Sequence, residues 1–79
     1  MDRSEVYAVI DTEREYQNEL WGDGGKHEID SFATYIRVYS RILDETATRP
    51  NTPQEKMNIV RKIAGLAVAA MEQHGAPRR

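Results

Sequence analysis

Apolar residues recur at three- and four-residue steps along three stretches of the chain, and turn signals separate them. In the first stretch Val6, Val9, Ile10, Glu13, Gln17, Leu20 and Trp21 share helical spacing, and the stripe turns polar at Glu13 and Gln17. This pattern predicts a helix over about 3–21. Asp2 and Glu5 have capping-box spacing at its start. Gly22-Asp23-Gly24-Gly25 ends it, because glycine reaches left-handed backbone conformations without steric penalty. The second stretch, about 28–47, carries Ile29, Phe32, Tyr35, Ile36, Tyr39, Ile42 and Leu43 as a nearly unbroken stripe. Arg49-Pro50 blocks its continuation. The third, about 53–74, opens with Thr52-Pro53-Gln54-Glu55, a capping box with proline at the first helical position. Gly75 and Pro77 close it, and residues 76–79 form a tail.

The third helix is apolar over an unusually wide arc. Met57, Val60, Ile63, Ala64, Ala67, Ala70 and Met71 form one face, and Ile59, Ile63, Leu66 and Ala70 a second that overlaps it. Such a helix is covered on more than one side. One side suits the core within the chain and the other a subunit interface, where Ala64, Gly65, Ala67, Ala69 and Ala70 let two backbones approach closely. The expected fold is therefore all-α. It is a single helical domain, 1–79, with two long antiparallel helices plus an N-terminal helix, assembling into a helical oligomer.

Length supports the oligomer. A chain of 79 residues builds a core that supplies only about 3–5 kcal/mol, and small scaffolds add a staple or a partner. With no cysteine, neither disulfides nor thiolate zinc sites are open to it. No apolar run approaches the roughly 20 residues that span a bilayer, and the N-terminal residues carry no signal-peptide pattern. The expected location is the cytoplasm, without a membrane partner.

The net charge of −2 conceals an asymmetry. Residues 1–30 hold three basic against nine acidic groups, and residues 31–79 hold eight against four. Either the acidic first helix packs beside basic later helices, or the basic part binds an anion. An acidic pI of about 5.6 and the lack of a dense basic stripe argue against nucleic acid as that anion.

Most catalytic patterns fail. Gly24-Gly25-Lys26 is not a P-loop, because Leu20 stands where the first glycine belongs and His27 replaces the hydroxyl residue. His27-Glu28 does not open an H-E-x-x-H zinc site, because Ser31 holds the last position. The serines lack a nucleophile elbow. Helix two has no carboxylate between Asp30 and Asp44, and helix three has none between Glu55 and Glu72, so converging metal acids are not expected. The basic groups are better placed for binding. Arg37 and Arg41 stand one turn apart on one face, where a single phosphate can touch both, and Arg61 and Lys62 lie mid-helix in helix three. Lys26 and His27 fall on a loop expected to be mobile, beside Trp21, and Tyr16, Tyr35 and Tyr39 are further stacking candidates. The alternatives are that the basic groups pair with helix-one acids, that His27 packs on Trp21 or caps helix two, and that Tyr35 and Tyr39 belong to the core.

Glu13-Arg14-x-x-Gln17, Trp21-Gly22, His27 and the segment Ile63–Glu72 resemble small phage-encoded MazG-like proteins over about Glu13 to Glu72. The resemblance implies an all-α, oligomeric fold and a nucleotide-like ligand. Members of that family are magnesium-dependent nucleoside-triphosphate pyrophosphohydrolases. Their metal acids would fall where this chain has Tyr35–Arg41 and Ile59–Ile63, and no metal ligand carries over. The expected function is thus a non-catalytic oligomeric binding protein, with no cofactor, for a nucleotide-derived anion. Arg37, Arg41, Arg61, Lys62, Lys26, His27, Trp21 and Tyr16 are its candidate ligand-binding residues. Sequestration of a host immune signalling nucleotide by a phage is the use the resemblance suggests. Two alternatives are a divergent metal-dependent pyrophosphohydrolase recruiting Glu13, Glu15, Glu19 or Asp30, and a protein-binding inhibitor.

Overall fold

A computed structural model describes residues 1–22 and 25–79 of the chain. It contains three α-helices: α1 (Arg3–Trp21), α2 (Ile29–Glu45) and α3 (Pro53–His74). No strand forms among the described residues. Both halves of the first capping box are made. The Glu5 N–H donates to Asp2 Oδ1 at 2.9 Å, and the Asp2 N–H donates to Glu5 Oε1 at 3.4 Å. At α3 the Glu55 N–H donates to Thr52 Oγ1 at 3.1 Å, with Pro53 in the first turn. Gly22 and Gly75 end α1 and α3 at φ of 72° and 89°, conformations that a side chain would strain. Helix α2 stops short of the expected 47, and a 3₁₀ turn at Thr46–Thr48 leads into Arg49-Pro50. Among the described residues no helix is long and apolar enough to cross a membrane.

Helices α1 and α2 each pack on α3, which lies between them. Phe32 meets His74 while Tyr39 meets Lys62, so α2 runs antiparallel to α3. The buried apolar core is small: Phe32, Leu66 and Ala69, flanked by Trp21, Ile36, Tyr39 and Ala70. Leu66 therefore belongs to the core within the chain. The α2 stripe is wider than the strip it buries, for Ile29, Tyr35 and Ile42 stay exposed.

The α1–α3 contact is polar where the α1 stripe turns polar. Glu13, Arg14 and Gln17 are all buried against α3. Gly65 makes room for them. A Cβ there would stand 2.7 Å from both Gln17 Nε2 and Glu13 Cγ. The close approach at Gly65, expected between subunits, is used inside the chain. Arg14 ties the layer together. Its guanidinium donates to Glu72 at 2.6 and 3.2 Å, to Gln17 Oε1 at 2.9 Å and to Asn18 Oδ1 at 3.1 Å. A buried arginine persists only with its donors met in this way.

Candidate functional site

Because α1 and α2 both lean on α3 without closing on each other, a cleft of about 360 Å³ opens between them. Its size falls within the range of about 300–1,000 Å³ typical of small-molecule pockets. Its walls come from Tyr16, Leu20 and Trp21 of α1 and from Tyr35 and Tyr39 of α2. Glu13 and Gln17 of α1 and Lys62 and Leu66 of α3 complete it. Four aromatic rings thus border one space, with a lysine among them. The Lys62 ammonium lies 5.7 Å from the Tyr39 ring centroid, within cation–π range.

An adjoining hollow of about 420 Å³ shares Glu13, Tyr16 and Lys62 and adds Arg61. Arg61 Nε donates to Glu13 Oε1 at 2.8 Å. Glu13 is buried, so this pair neutralises the one carboxylate that lines the cleft among the described residues. A metal ion recruiting Glu13 would have to displace Arg61. Among the described residues no group of three or more His, Cys, Asp or Glu side chains is placed to hold a metal.

His27 stands behind the aromatic wall. Its ring meets Trp21, Phe32 and Tyr35 edge-on, at centroid distances of 4.8, 5.5 and 5.5 Å. It packs on Trp21 and does not cap α2, whose N-cap is Glu28 without a side-chain bond. Its Nε2 is buried without a hydrogen-bond partner. Lys26 and His27, expected on a mobile loop, lie on a segment whose described part is tied to α3 by side-chain hydrogen bonds. The His27 N–H donates to Gln73 Oε1 at 2.9 Å, and Gln73 Nε2 donates to the Gly25 carbonyl at 3.1 Å. His74 Nε2 lies 2.7 Å from the His27 carbonyl, which places the proton on that nitrogen. Side chains from the last turn of α3 take up the backbone groups of residues 25–27 and hold them. Lys26 and His27 border a separate polar recess with Glu28, Glu72, Gln73 and His74. Gly22-Asp23-Gly24-Gly25, read as the end of the first helix, lies partly outside the described residues.

The eight candidate residues therefore divide. Tyr16, Trp21 and Lys62 share the cleft, and Arg61 borders its extension. Lys26 and His27 sit in the recess. Arg37 and Arg41 are exposed and lie about 100° or more around α2 from Phe32, Ile36 and Tyr39, which pack inward. They border none of these cavities. Sequence reading did not single out Gln17 or Glu13 as cleft residues. The signal was present in the polar interruption of an otherwise apolar stripe. No family model, curated protein or solved structure matches the chain.

Proposed function

We propose that this chain is a non-catalytic binding protein for a nucleotide-derived anion, working as a helical oligomer, and that the α1–α2 cleft holds the ligand. The observation that carries this reading is the meeting of Tyr16, Trp21, Tyr35 and Tyr39 around one open space that also receives Lys62. Aromatic faces accept a nucleobase by stacking. Gln17 and Glu13 offer polar groups at the cleft floor, and Lys62 offers a cation for the phosphate end. Glu13 is already paired to Arg61, and an engaged carboxylate favours holding a ligand over hydrolysing it. A small protein of this kind suits sequestration, and the MazG-like resemblance suggests a phage protein that withdraws a signalling nucleotide in the cytoplasm of its host.

Titration with adenosine and guanosine monophosphates, cyclic dinucleotides and ADP-ribose tests the reading. Trp21 is the one tryptophan, so stacking in the cleft should quench its emission. Lys62→Ala should weaken binding about tenfold to a hundredfold, the worth of one charge-assisted hydrogen bond of about 1.5–3 kcal/mol. Tyr16→Ala should weaken it too, while Arg37→Ala and Arg41→Ala leave it unchanged. Equal affinity in Lys62→Ala and Tyr16→Ala would remove the cleft as the site. A loss confined to the Arg37 and Arg41 variants would move the site to the outer face of α2. Turnover of nucleoside triphosphates that a chelator abolishes would replace the reading with the hydrolase.

A further inference from the structure

The chain leaves too much surface open for its size. A compact monomer of 9.1 kDa exposes about 4,900 Å², whereas this chain exposes 6315 Å². The excess of about 1,400 Å² exceeds the roughly 800 Å² that each partner buries in a standard interface. Part of it is apolar and continuous. With α1 against the Gly65 side of α3 and α2 against its Leu66 side, helical geometry leaves a third side incompletely covered, bearing Met57, Val60, Ala64, Val68 and Met71, of which the three central residues are part-buried. Met57 and Met71 are strongly exposed. An apolar groove of about 300 Å³ continues this face onto the first half of α1, between Val6, Val9 and Ile10 and Met57, Val60 and Ala64.

The order of these residues identifies the occupant. Around Ala64 the face reads the same in both directions: valine four residues away on each side, methionine seven residues away on each side. A two-fold axis pairs each residue of a surface with its counterpart on an identical copy. We infer that a second copy of this chain docks antiparallel on this face, with the axis at Ala64. Ala64 then faces Ala64 of the partner subunit, Val60 faces the partner's Val68, and Met57 faces the partner's Met71. The alanine at the centre permits an axis separation near the short end of the usual 8–10 Å or so. No charge lies within the stripe, and the nearest, Lys56 and Arg61, stand at its borders. The partner's Met71 arrives beside Met57, at the mouth of the α1–α3 groove, where a flexible thioether fills irregular space well.

This inference gives the oligomer of the proposed function its surface and register, and it does not depend on the ligand. The chain has no cysteine, so introduced thiols report cleanly. A64C should form a disulfide dimer under mild oxidation, because the two-fold axis brings its Cα atoms within the required distance of about 4.4–6.8 Å. V60C alone should not cross-link, since two copies of position 60 would stand about 12 Å apart along the helices. An equimolar mixture of V60C and V68C should cross-link as a heterodimer. Sedimentation of the wild type should give a dimer or a multiple of it, and Ala64→Glu should raise the dissociation constant at least a hundredfold. A monomer at high micromolar concentration would overturn both this interface and the oligomer. An oligomer that Ala64→Glu leaves intact, with no A64C disulfide, would overturn this interface alone. Efficient V60C self-cross-linking would show a parallel pair and refute the register. Nucleotide titration of each variant reads the ligand proposal separately.

Discussion

Gly65→Ala sets two opposing effects against each other. Alanine in the middle of a helix is favoured over glycine by about 0.5–1 kcal/mol, through the unfolded chain and helix propensity. In α3 the new methyl would meet Gln17 Nε2 and Glu13 Cγ, both at 2.7 Å. Separations below about 3 Å between such atoms do not persist, so something must move. Gln17 can swing its amide aside, though its Oε1 accepts from Arg14 at 2.9 Å. Glu13 is harder to move, because Cγ sits near the root of the side chain and the carboxylate is held by Arg61 at 2.8 Å. Either α1 shifts outward or the Glu13–Arg61 pair breaks. Overpacking of this kind costs about 1–3 kcal/mol. The steric effect outweighs the propensity gain, and a net loss of about 1–2 kcal/mol follows. For a domain of this length the midpoint of thermal unfolding falls about 4–8 °C per kcal/mol. Helical circular dichroism, followed through a melt at one fixed protein concentration, should show a lower midpoint by about 5–15 °C. Because Glu13 and Gln17 line the cleft, nucleotide binding should weaken in parallel. A Gly65→Ala protein as stable as the wild type, or more so, would refute the close approach of α1 to α3.

Three further outcomes are expected. Phe32→Ala empties the largest fully buried side chain, 1% exposed; such truncations cost about 3–5 kcal/mol, as much as so small a core supplies, so the isolated chain should lose its cooperative melt. The Glu72 carboxyl is held below its ordinary value of 4.5 by the hydrogen bond from Arg14, opposed by desolvation and aided by the charge of Arg14. Its stabilisation is complete above the unfolded-chain value and disappears as pH falls through the lowered folded value, so Glu72→Gln should flatten the acid limb of a stability profile below about pH 4.5. Gln73→Ala removes two of the three side-chain bonds that hold residues 25–27 to α3, leaving the one from His74. Amide exchange at His27 should quicken in that variant while exchange in the middle of α3 stays unchanged.

The helices were legible from the chain itself because their determinants are local. Asp2 with Glu5, and Thr52 with Pro53 and Glu55, act over three residues, and Gly22 and Gly75 act at a single φ. The wide apolar arc of α3 announced that more than one partner covers it, since periodicity records how many sides are apolar. It does not record which side meets which helix. That assignment came from tertiary packing, which put α1 on Gly65 and Leu66 into the core and left the face from Met57 to Met71 incompletely covered. Charge pairing followed the same rule. The excess of acid early and base later made Arg–Glu pairs foreseeable as a class, and Arg61–Glu13 is one of them. That Arg14, the basic residue of an acidic helix, would reach Glu72 could not be read from charge totals, because 58 residues separate the two. The cleft shows the limit most plainly. Tyr16, Trp21, Tyr35, Tyr39 and Lys62 lie on three helices, and only the angles at which α1 and α2 cross α3 bring them to one space. Arg37 and Arg41, adjacent on their own helix by simple spacing, are turned outward by the burial of Phe32 on the opposite side. Helical spacing relates residues within one element, whereas a site needs the relation between elements, and that is decided by which faces bury the most apolar surface together.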